Sequence, residues 1–437
     1  MNTHTKSARE EHDTLSAAQT IKQSKSSPHR RVVITGMAGI SSLGQDWKTI
    51  AKNLKKRQNC IVKMDEWDKF DGLNTRLAGP ITDFEVPKHY SRKKIRSMGR
   101  VSLMATRASE LALIDADLLD DPIIQSGQMG VAYGSSTGST DPLLGFSKML
   151  DTGDMSSVTA TSYIRMMAHT TAVNLGVYFG LKGRVHTTSS ACTSGSQGIG
   201  YAYEAIKYGQ QDLMIAGGAE ELCPTEAVVF DTLFATSTKN DAPSTTPSPF
   251  DQDRDGLVIG EGACTLILEE LEHAQNRGAK IYAELVGFGT NSDGQHVTQP
   301  NSDTMETAIR LAIKDAQITP NAIGYVNAHG TATERGDVAE TQATQAVFGE
   351  KQVISSLKSY TGHTLGACGA LESWLSIEMM NEGWFAPTLN LTQIDPACGR
   401  LDYIKDDIRF IDTDYVMSNN FAFGGINTSL IFKKWTD

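Results

Sequence analysis

From Arg31 onward the apolar residues fall into two alternating patterns. Short runs rich in Val, Ile and Leu predict strands, and longer stretches with apolar residues three and four apart predict helices. Arg31–Thr35 is the first predicted strand and Trp47–Lys55 the first helix. Ser102–Ile114 has helical spacing of Leu103, Ala108, Leu111 and Leu113. Gly130–Gly134 predicts a strand closed by a Gly/Ser turn, and Asp212–Gly217 an apolar strand. Cys264–Glu269 predicts another, carried by Leu266, Ile267 and Leu268. A second series opens with a strand at Ile281–Gly287. It continues as helix Thr304–Ala316, strand Ile323–Asn327, helix Val338–Phe348, strand Val353–Ser356 and helix Ala370–Met380. Strands near Ile408–Asp412 and Thr428–Phe432 close the chain. Strands alternating with helices predict an α/β fold whose mostly parallel sheets are covered on both faces. The fresh start near Ile281 divides the ordered region into two parts, 30–276 and 277–437.

The 437 residues suffice for a large core, and 40% hydrophobic with 21% charged residues is an ordinary globular balance. No apolar run reaches the length of a membrane-spanning helix. Residues 1–29 are polar, rich in Ser, Thr, Lys and Gln, and lack an apolar centre. They read as a disordered tail and not as a secretory signal. Six cysteines (Cys60, Cys192, Cys223, Cys264, Cys368 and Cys398) show no CxxC spacing, which fits reduced thiols in a cytoplasmic protein and argues against zinc. A net charge of −11 disfavours a general nucleic-acid binder. One basic run stands apart, Arg92-Lys93-Lys94-Ile95-Arg96 with Arg100 close behind. On a continuous helix Arg92, Arg96 and Arg100 share one face.

The chemistry concentrates at three turns. Thr188-Ser189-Ser190-Ala191-Cys192-Thr193-Ser194-Gly195 leads into a helix-like run from Ser196 to Tyr208. A cysteine at a helix N-terminus has its thiolate favoured by the helix dipole and unpaired N–H groups. The small residues around it admit a substrate carbonyl, and local N–H groups can stabilise an oxyanion. Tyr325-Val326-Asn327-Ala328-His329-Gly330 places His329 at a strand end before a turn. Ile354-Ser355-Ser356-Leu357-Lys358-Ser359-Tyr360-Thr361-Gly362-His363 repeats the arrangement, with Lys358 five residues before His363 and a small-residue helix behind.

Together these residues resemble the active-site set of the β-ketoacyl-acyl carrier protein synthases, specifically the elongating Cys-His-His class (synthase II type). The resemblance runs from about Arg30 to Lys434. It includes Arg31-Val32-Val33-Ile34-Thr35-Gly36, Ala216-Gly217-Gly218-Ala219-Glu220, Pro249-Phe250-Asp251, Arg254-Asp255-Gly256 and Phe423-Gly424-Gly425. It implies a thiolase-like, five-layered αβαβα fold of two pseudo-symmetric halves, one carrying Cys192 and the other the two histidines. It implies an acyltransferase that holds an acyl group on Cys192 and condenses it with the enolate of a decarboxylated malonyl thioester. His329 and His363 would donate to the thioester oxygen, and the N–H groups of Cys192 and Phe423 would form the oxyanion hole. Glu372 would pair with Lys358 and orient His363. Thr298, Thr331 and Thr333 match positions that contact the pantetheine arm, and Phe423 matches the gate of the acyl pocket. Arg92, Lys93 and Arg96 would dock an acidic acyl carrier protein. No cofactor or metal is implied beyond the carrier's phosphopantetheine. The active unit would be a dimer, of two copies or with a paralogous synthase.

Two positions depart from the family pattern. Ala422 stands where glycine is usual before the gate, and Leu357 replaces the threonine common before the lysine. With Asn419-Asn420-Phe421 and Ile426-Asn427, these departures resemble synthases of bacterial aryl-polyene pathways, which implies unsaturated, aryl-capped acyl chains. General fatty-acid elongation is the alternative, and a catalytically silent partner subunit is a reading of another class. A thiolase needs a second catalytic cysteine near the C-terminus, and an initiating synthase has asparagine where this chain has His363. A cysteine hydrolase needs water activation that nothing beyond the generic Cys-His pair supports.

Overall fold

The computed structural model describes residues 29–436. The polar stretch before His29, read above as a disordered tail, lies outside the described residues. Among the described residues the main sheet has eleven strands, of which ten fall into two sets of five and the eleventh, Asp402–Tyr403, pairs with Val353–Ser355 at one edge. In the first half the five are β1 (Val32–Ser41), β2 (Met129–Gly134), β3 (Val185–Thr188), β4 (Leu213–Glu220) and β5 (Gly262–Glu270). In the second half they are β6 (Ala283–Ser292), β7 (Tyr325–Asn327), β8 (Val353–Ser355), β9 (Tyr415–Ala422) and β10 (Ile426–Lys434). The first five lie in the order β1-β5-β4-β2-β3 and the second five in the order β6-β10-β9-β7-β8. Taking the strands of each half in chain order, both sequences are first-fifth-fourth-second-third. Pairing directions also match: β2 is parallel to β3 and β4 as β7 is parallel to β8 and β9, and the remaining pairs among these ten strands are antiparallel. This is a structural repeat without overt repeat identity in the sequence.

The helices form three layers. Ser194–Lys207 (α3) packs on β2, β4 and β5 on one side and on β6 and β10 on the other, so it lies between the halves. Cys368–Glu382 (α7) likewise touches β1 and β5 as well as β9 and β10, and packs on α3. Both inner helices are buried almost all round: Cys368 through Ile377 are all buried, as a helix flanked by sheets on two faces requires. The outer helices are one-faced. Ser302–Ala316 (α5) buries Met305, Ala308, Ile309, Ala312 and Ile313, a stripe at helical spacing, and packs with Glu334–Phe348 (α6) over the second half. Arg100–Asp115 (α1) and Thr170–Phe179 (α2) cover the first half. The remaining labelled helix, Pro224–Asp231 (α4), lies beside the site described below. The largest apolar core, including Ile34, Ile199, Leu266, Leu285, Trp374 and Phe432, fills the space around the inner helices.

Three expectations change. The sheet is mixed and not mostly parallel, because β9 and β10 are joined by a three-residue turn that permits only antiparallel pairing. The strand expected at Ile408–Asp412 is only Arg409–Phe410, paired with Trp384–Phe385 outside the main sheet. The true neighbour of β10 is Tyr415–Ala422. Its buried Ser418, Asn419 and Asn420 hide the strand from an apolar-run reading. The basic segment is not one helix either. Arg92–Ile95 is a single short turn, the chain breaks at Ser97–Gly99, and a new helix begins at Arg100. Arg100 turns inward and makes a two-pronged ion pair with Glu261 (2.8 and 2.9 Å), so it does not share an exposed face with Arg92 and Arg96. Among the described residues no helix is long and apolar enough to cross a membrane.

Candidate active site

Cys192 follows the third strand of the first half, and His363 follows the third strand of the second. The internal repeat therefore brings them to equivalent positions in the two halves. After β3 the chain turns through Ser189 and Ser190 into a short 3-10 turn, Ala191–Thr193, which runs directly into α3. Ala191 has a φ of +51°, an unusual backbone setting for a residue with a Cβ. Hydrogen bonds hold the elbow: Thr188 Oγ1 donates to the Ser194 carbonyl (2.7 Å), and Ser194 Oγ donates to the Ala191 carbonyl (2.7 Å). The loop before α7 comes very close. A Cβ on Gly195 would lie 2.9 Å from the Gly366 carbonyl oxygen, and one on Gly218 only 2.3 Å from it. Glycine at both positions lets the two halves close on each other.

That closure places His363 Nε2 3.0 Å from Cys192 Sγ. The backbone N–H of Leu365 donates to His363 Nδ1 (3.2 Å). Burial first, and the Lys358 ammonium second, hold the His363 pKa well below its ordinary value, so the ring is neutral near pH 7. A neutral imidazole that accepts at Nδ1 carries its proton on Nε2. His363 therefore presents an N–H to the sulfur and has no free base to take the thiol proton.

His329 stands at the end of β7. Its backbone N–H and that of Gly330 donate to the two oxygens of Glu340 (2.7 Å each). The rings of His329 and His363 meet edge to face with centroids 5.1 Å apart. Burial, then Lys358, then His363 depress the His329 pKa. Lys358 is itself almost fully buried. Its Nζ donates to Glu372, whose other oxygen accepts from Asn420 Nδ2 at 2.8 Å. Burial opposes the charge on Lys358, but the Glu372 carboxylate overcomes this and raises its pKa. Asn420 Nδ2 also lies 3.5 Å from His329 Nδ1, which links the ion pair to the first histidine.

The sulfur itself differs from expectation. Burial pushes the Cys192 thiol up to about 11, against the lowering influence of the Phe423 N–H, Lys358 and its own N–H. The helix N-terminus acts in the expected direction, but desolvation of an anion with only 4% of the residue exposed is the larger effect. The two N–H groups that reach the sulfur, those of Cys192 and Phe423, are the pair assigned to an oxyanion hole from the sequence.

Cys192, His329, His363 and Phe423 lie at the foot of a cavity of about 770 Å³. Thr298, Thr331 and Thr333 line the same cavity, with Thr331 and Thr333 hydroxyls 2.9 Å apart and Thr298 Oγ1 3.1 Å from His296 Nδ1. Phe423 belongs to the β9–β10 turn, where Gly424 and Gly425 have φ of +94° and +74°, and its ring meets Phe230 edge to face. Arg92, Lys93 and Arg96 are exposed and outside the cavity lining, without an ion-pair partner among the described residues. The Cys192 sulfur and the histidine ring nitrogens fall within 4.8 Å of one another, a set able to hold a soft cation. The charge of Lys358, felt by all three side chains, opposes a divalent ion there.

Several residues of this site escaped the sequence reading. Glu340 clamps His329, and Asn420 joins Glu372 to His329. Glu220 accepts from Ser135 Oγ (2.8 Å), the Ser136 N–H (2.7 Å) and, across the halves, the Gly366 N–H (3.0 Å). Glu220 and Asn420 stood within the motifs quoted above. A carboxylate ending an otherwise apolar strand was the available signal for Glu220.

A buried cysteine facing two histidines, between two repeated α/β halves, defines a thiolase-like condensing enzyme. The chain matches the β-ketoacyl synthase N-terminal domain over residues 29–274 and the β-ketoacyl synthase C-terminal domain over residues 282–392. It is 40% identical to the 3-oxoacyl-[acyl-carrier-protein] synthase 2 of Vibrio harveyi, over 93% of this chain and 99% of that protein. It is 62% identical to a β-ketoacyl synthase of known structure from Burkholderia phymatum, with a TM-score of 0.92 over 93% of this chain and all of that one. It is 30% identical, with a TM-score of 0.82 over 93% of this chain and all of the other, to a structure of a type II polyketide acyl-carrier protein in complex with its ketosynthase bound to the hexaketide. The chain belongs to the β-ketoacyl synthase family and is an acyltransferase.

Proposed function

We propose that this enzyme condenses an acyl group held on Cys192 with malonyl-acyl carrier protein to give 3-oxoacyl-acyl carrier protein, in an aryl-polyene pathway. The observation that carries the reaction is the convergence of the Cys192 sulfur, both histidines and two backbone N–H groups at the foot of one cavity. In the first step Cys192 Sγ attacks the acyl thioester, the carrier's C–S bond breaks, and the thiol proton leaves with the carrier's sulfur. The Cys192 and Phe423 N–H groups hold the oxyanion. In the second step the malonyl C–C bond breaks and carbon dioxide leaves. The electron pair passes into an enolate that accepts hydrogen bonds from the Nε2–H groups of His329 and His363. The enolate carbon then attacks the Cys192 thioester, the new C–C bond forms as the Cys192 C–S bond breaks, and the departing thiolate takes a proton from solvent. Burial first, and the Lys358 charge second, keep both histidines neutral, while Glu372 holds Lys358 and reaches His329 through Asn420. No cofactor takes part beyond the phosphopantetheine that carries both substrates, whose arm runs along Thr298, Thr331 and Thr333.

Carrier docking at Arg92, Lys93 and Arg96 draws support from their exposure and unpaired charge. Phe234, 88% exposed at the cavity mouth, supplies an apolar contact there that the sequence reading did not include. A dimer is supported by the open edge of β3 and by exposed apolar residues grouped on that side, among them Val173, Val177 and Val185. Val177→Glu is expected to shift the protein from dimer to monomer in sedimentation velocity; a wild-type protein that sediments as a monomer refutes the dimer. The enzyme acts in the cytoplasm. The aryl-polyene assignment rests on Leu357, Ala422 and their neighbours, and fatty-acid elongation is the competing reading.

The deciding experiment supplies malonyl carrier protein with saturated or aryl-polyene acyl donors and reads carrier-bound products by intact mass. Two-carbon extension of only the unsaturated donors supports the pigment pathway. Efficient extension of saturated donors assigns the enzyme to fatty-acid elongation. No extension of any donor returns the protein to the reading of a silent partner subunit.

A further inference from the structure

The two histidines have their rings held in different ways. In the turn after β8 the backbone N–H of Leu365, two residues beyond His363, donates to His363 Nδ1. In the turn after β7 no N–H is left for that task. His329 and Gly330 donate to Glu340, and Thr331 and Ala332 donate to Asp337 (3.0 and 3.1 Å). Thr331 is the counterpart of Leu365, two residues after its histidine, and its N–H is spent on a carboxylate. The group that serves His329 Nδ1 comes from another element.

That element is β9. Asn420 is fully buried, and its Nδ2 lies 2.8 Å from Glu372 Oε2, 3.5 Å from His329 Nδ1 and 3.6 Å from Cys368 Sγ. One amide hydrogen is committed to Glu372, and the other points between the imidazole nitrogen and the sulfur. Cys368, Gly369 and Glu372 share the face of α7 that meets Asn420. Gly369 makes room for the amide there, since a Cβ on it would lie 2.7 Å from Asn420 Oδ1. Charge decides which way the amide points. Turned over, it would set Oδ1 against the Glu372 carboxylate, lone pair to lone pair. The observed setting leaves Oδ1 without a hydrogen-bond partner, and the charge-assisted bond to Glu372 outweighs that loss. Lys358 Nζ donates to the other oxygen of Glu372, so the ion pair governs the amide.

The amide in turn governs the imidazole. An amide NH₂ group offers two donors and no acceptor. It can face His329 Nδ1 only where that nitrogen is bare, because a proton there would set two N–H groups against each other in a buried site. Burial, Lys358 and His363 keep His329 neutral, so its ring carries a single proton. With Nδ1 bare, that proton is on Nε2.

We infer that Asn420 is a positioning residue for the condensation, which fixes the His329 proton on Nε2, where the enolate oxygen needs a donor. The inference rests on the condensing activity proposed above and supplies the reason that His329 acts in it as a donor. Leu365 does the same for His363 through the backbone, so the two histidines present matching N–H groups by unlike means.

The test reads the tautomer directly, from imidazole nitrogen shifts of enzyme labelled with nitrogen-15 histidine near neutral pH. The His329 signal is identified by its loss in His329→Gln. The wild-type ring is expected to be protonated on Nε2 alone. Asn420→Asp keeps the shape and puts an acceptor opposite Nδ1, the new carboxyl sharing a proton with Glu372. In that variant the ring proton should move to Nδ1, and malonyl decarboxylation should fall by about 10²-fold or more, as when a catalytic histidine is held in the wrong tautomer. Acylation of Cys192 should change by less than about tenfold, because His363 and the two backbone N–H groups at the sulfur are untouched. A wild-type ring protonated on Nδ1 overturns the inference without any variant. So does an Asn420→Asp enzyme whose ring keeps its proton on Nε2, one that decarboxylates at the wild-type rate, or one that loses both half-reactions equally. A folded wild type that neither loads an acyl group nor releases carbon dioxide overturns the condensing activity itself, whereas an active wild type with the proton on Nδ1 overturns only the role of Asn420.

Discussion

Cys192→Ala will form no acyl-enzyme, and its condensation rate will fall by about 10⁴-fold or more, the scale of loss when a nucleophile acting within a unit is removed. The geometry allows no substitute. Cys368, the nearest other thiol, is itself buried, and its Sγ donates to the Cys192 carbonyl oxygen. The histidine that touches the sulfur presents an N–H and not a lone pair. The same arrangement sets a pH signature in the wild type. Burial pushes the thiol up to about 11, so the thiolate fraction at neutral pH is small and grows as pH rises toward that value. Alkylation of Cys192 by iodoacetamide should accelerate about tenfold per pH unit between about pH 7 and 9, without levelling off. A plateau below about pH 8 would reveal a thiolate–imidazolium pair and reject the neutral assignment of His363. Condensation by Cys192→Ala at the wild-type rate would reject the covalent mechanism altogether.

His329→Ala should divide the reaction. Malonyl decarboxylation is expected to fall by about 10²–10³-fold, the usual cost of losing one preorganised donor to a developing oxyanion. Acylation of Cys192 should change by less than about tenfold, because the sulfur is contacted by His363 and by the N–H groups of Cys192 and Phe423 instead. The two half-reactions are separable: carbon dioxide release reports the first and intact mass the second. Equal losses would mean that His329 serves the shape of the site and not the enolate. Because Glu340 holds His329 through backbone N–H groups alone, the alanine variant keeps those hydrogen bonds and the loop they fix.

How much of this was legible beforehand differs from element to element. Helices with a clear apolar stripe, such as Ser302–Ala316, were located to within a turn. Strands made of aliphatic runs, such as Leu213–Glu220, were also found. Tyr415–Ala422 was missed because its core positions include Ser418, Asn419 and Asn420, whose burial makes sense only beside the partners that flank them. The basic run at Arg92 was read as one helix because spacing alone carries no sign of the break at Ser97–Gly99. Nor does spacing reveal that Glu261, 161 positions away, would draw Arg100 inward. The protonation of Cys192 was misjudged for a related reason. A helix N-terminus is visible in sequence, but the desolvation that outweighs it is a property of the closed interface between the halves.

By itself the chain determined which residues meet. Cys192, His329, Lys358 and His363 each stand at a strand end or in the turn just beyond, and in a repeated α/β fold such positions converge at one end of the sheets. Local sequence places each residue at its own strand end, since strand periodicity and turn residues act over a few neighbours, and the resemblance of the motifs to the β-ketoacyl synthases supplied their meeting. The tertiary structure alone decided how those residues are charged and what surrounds them. It put the proton on His363 Nε2, left the thiol neutral, and joined Lys358, Glu372, Asn420 and His329 in one line. Ionisation and hydrogen-bond supply depend on distances of a few ångströms between residues far apart in the chain, and on the water excluded when the two halves close.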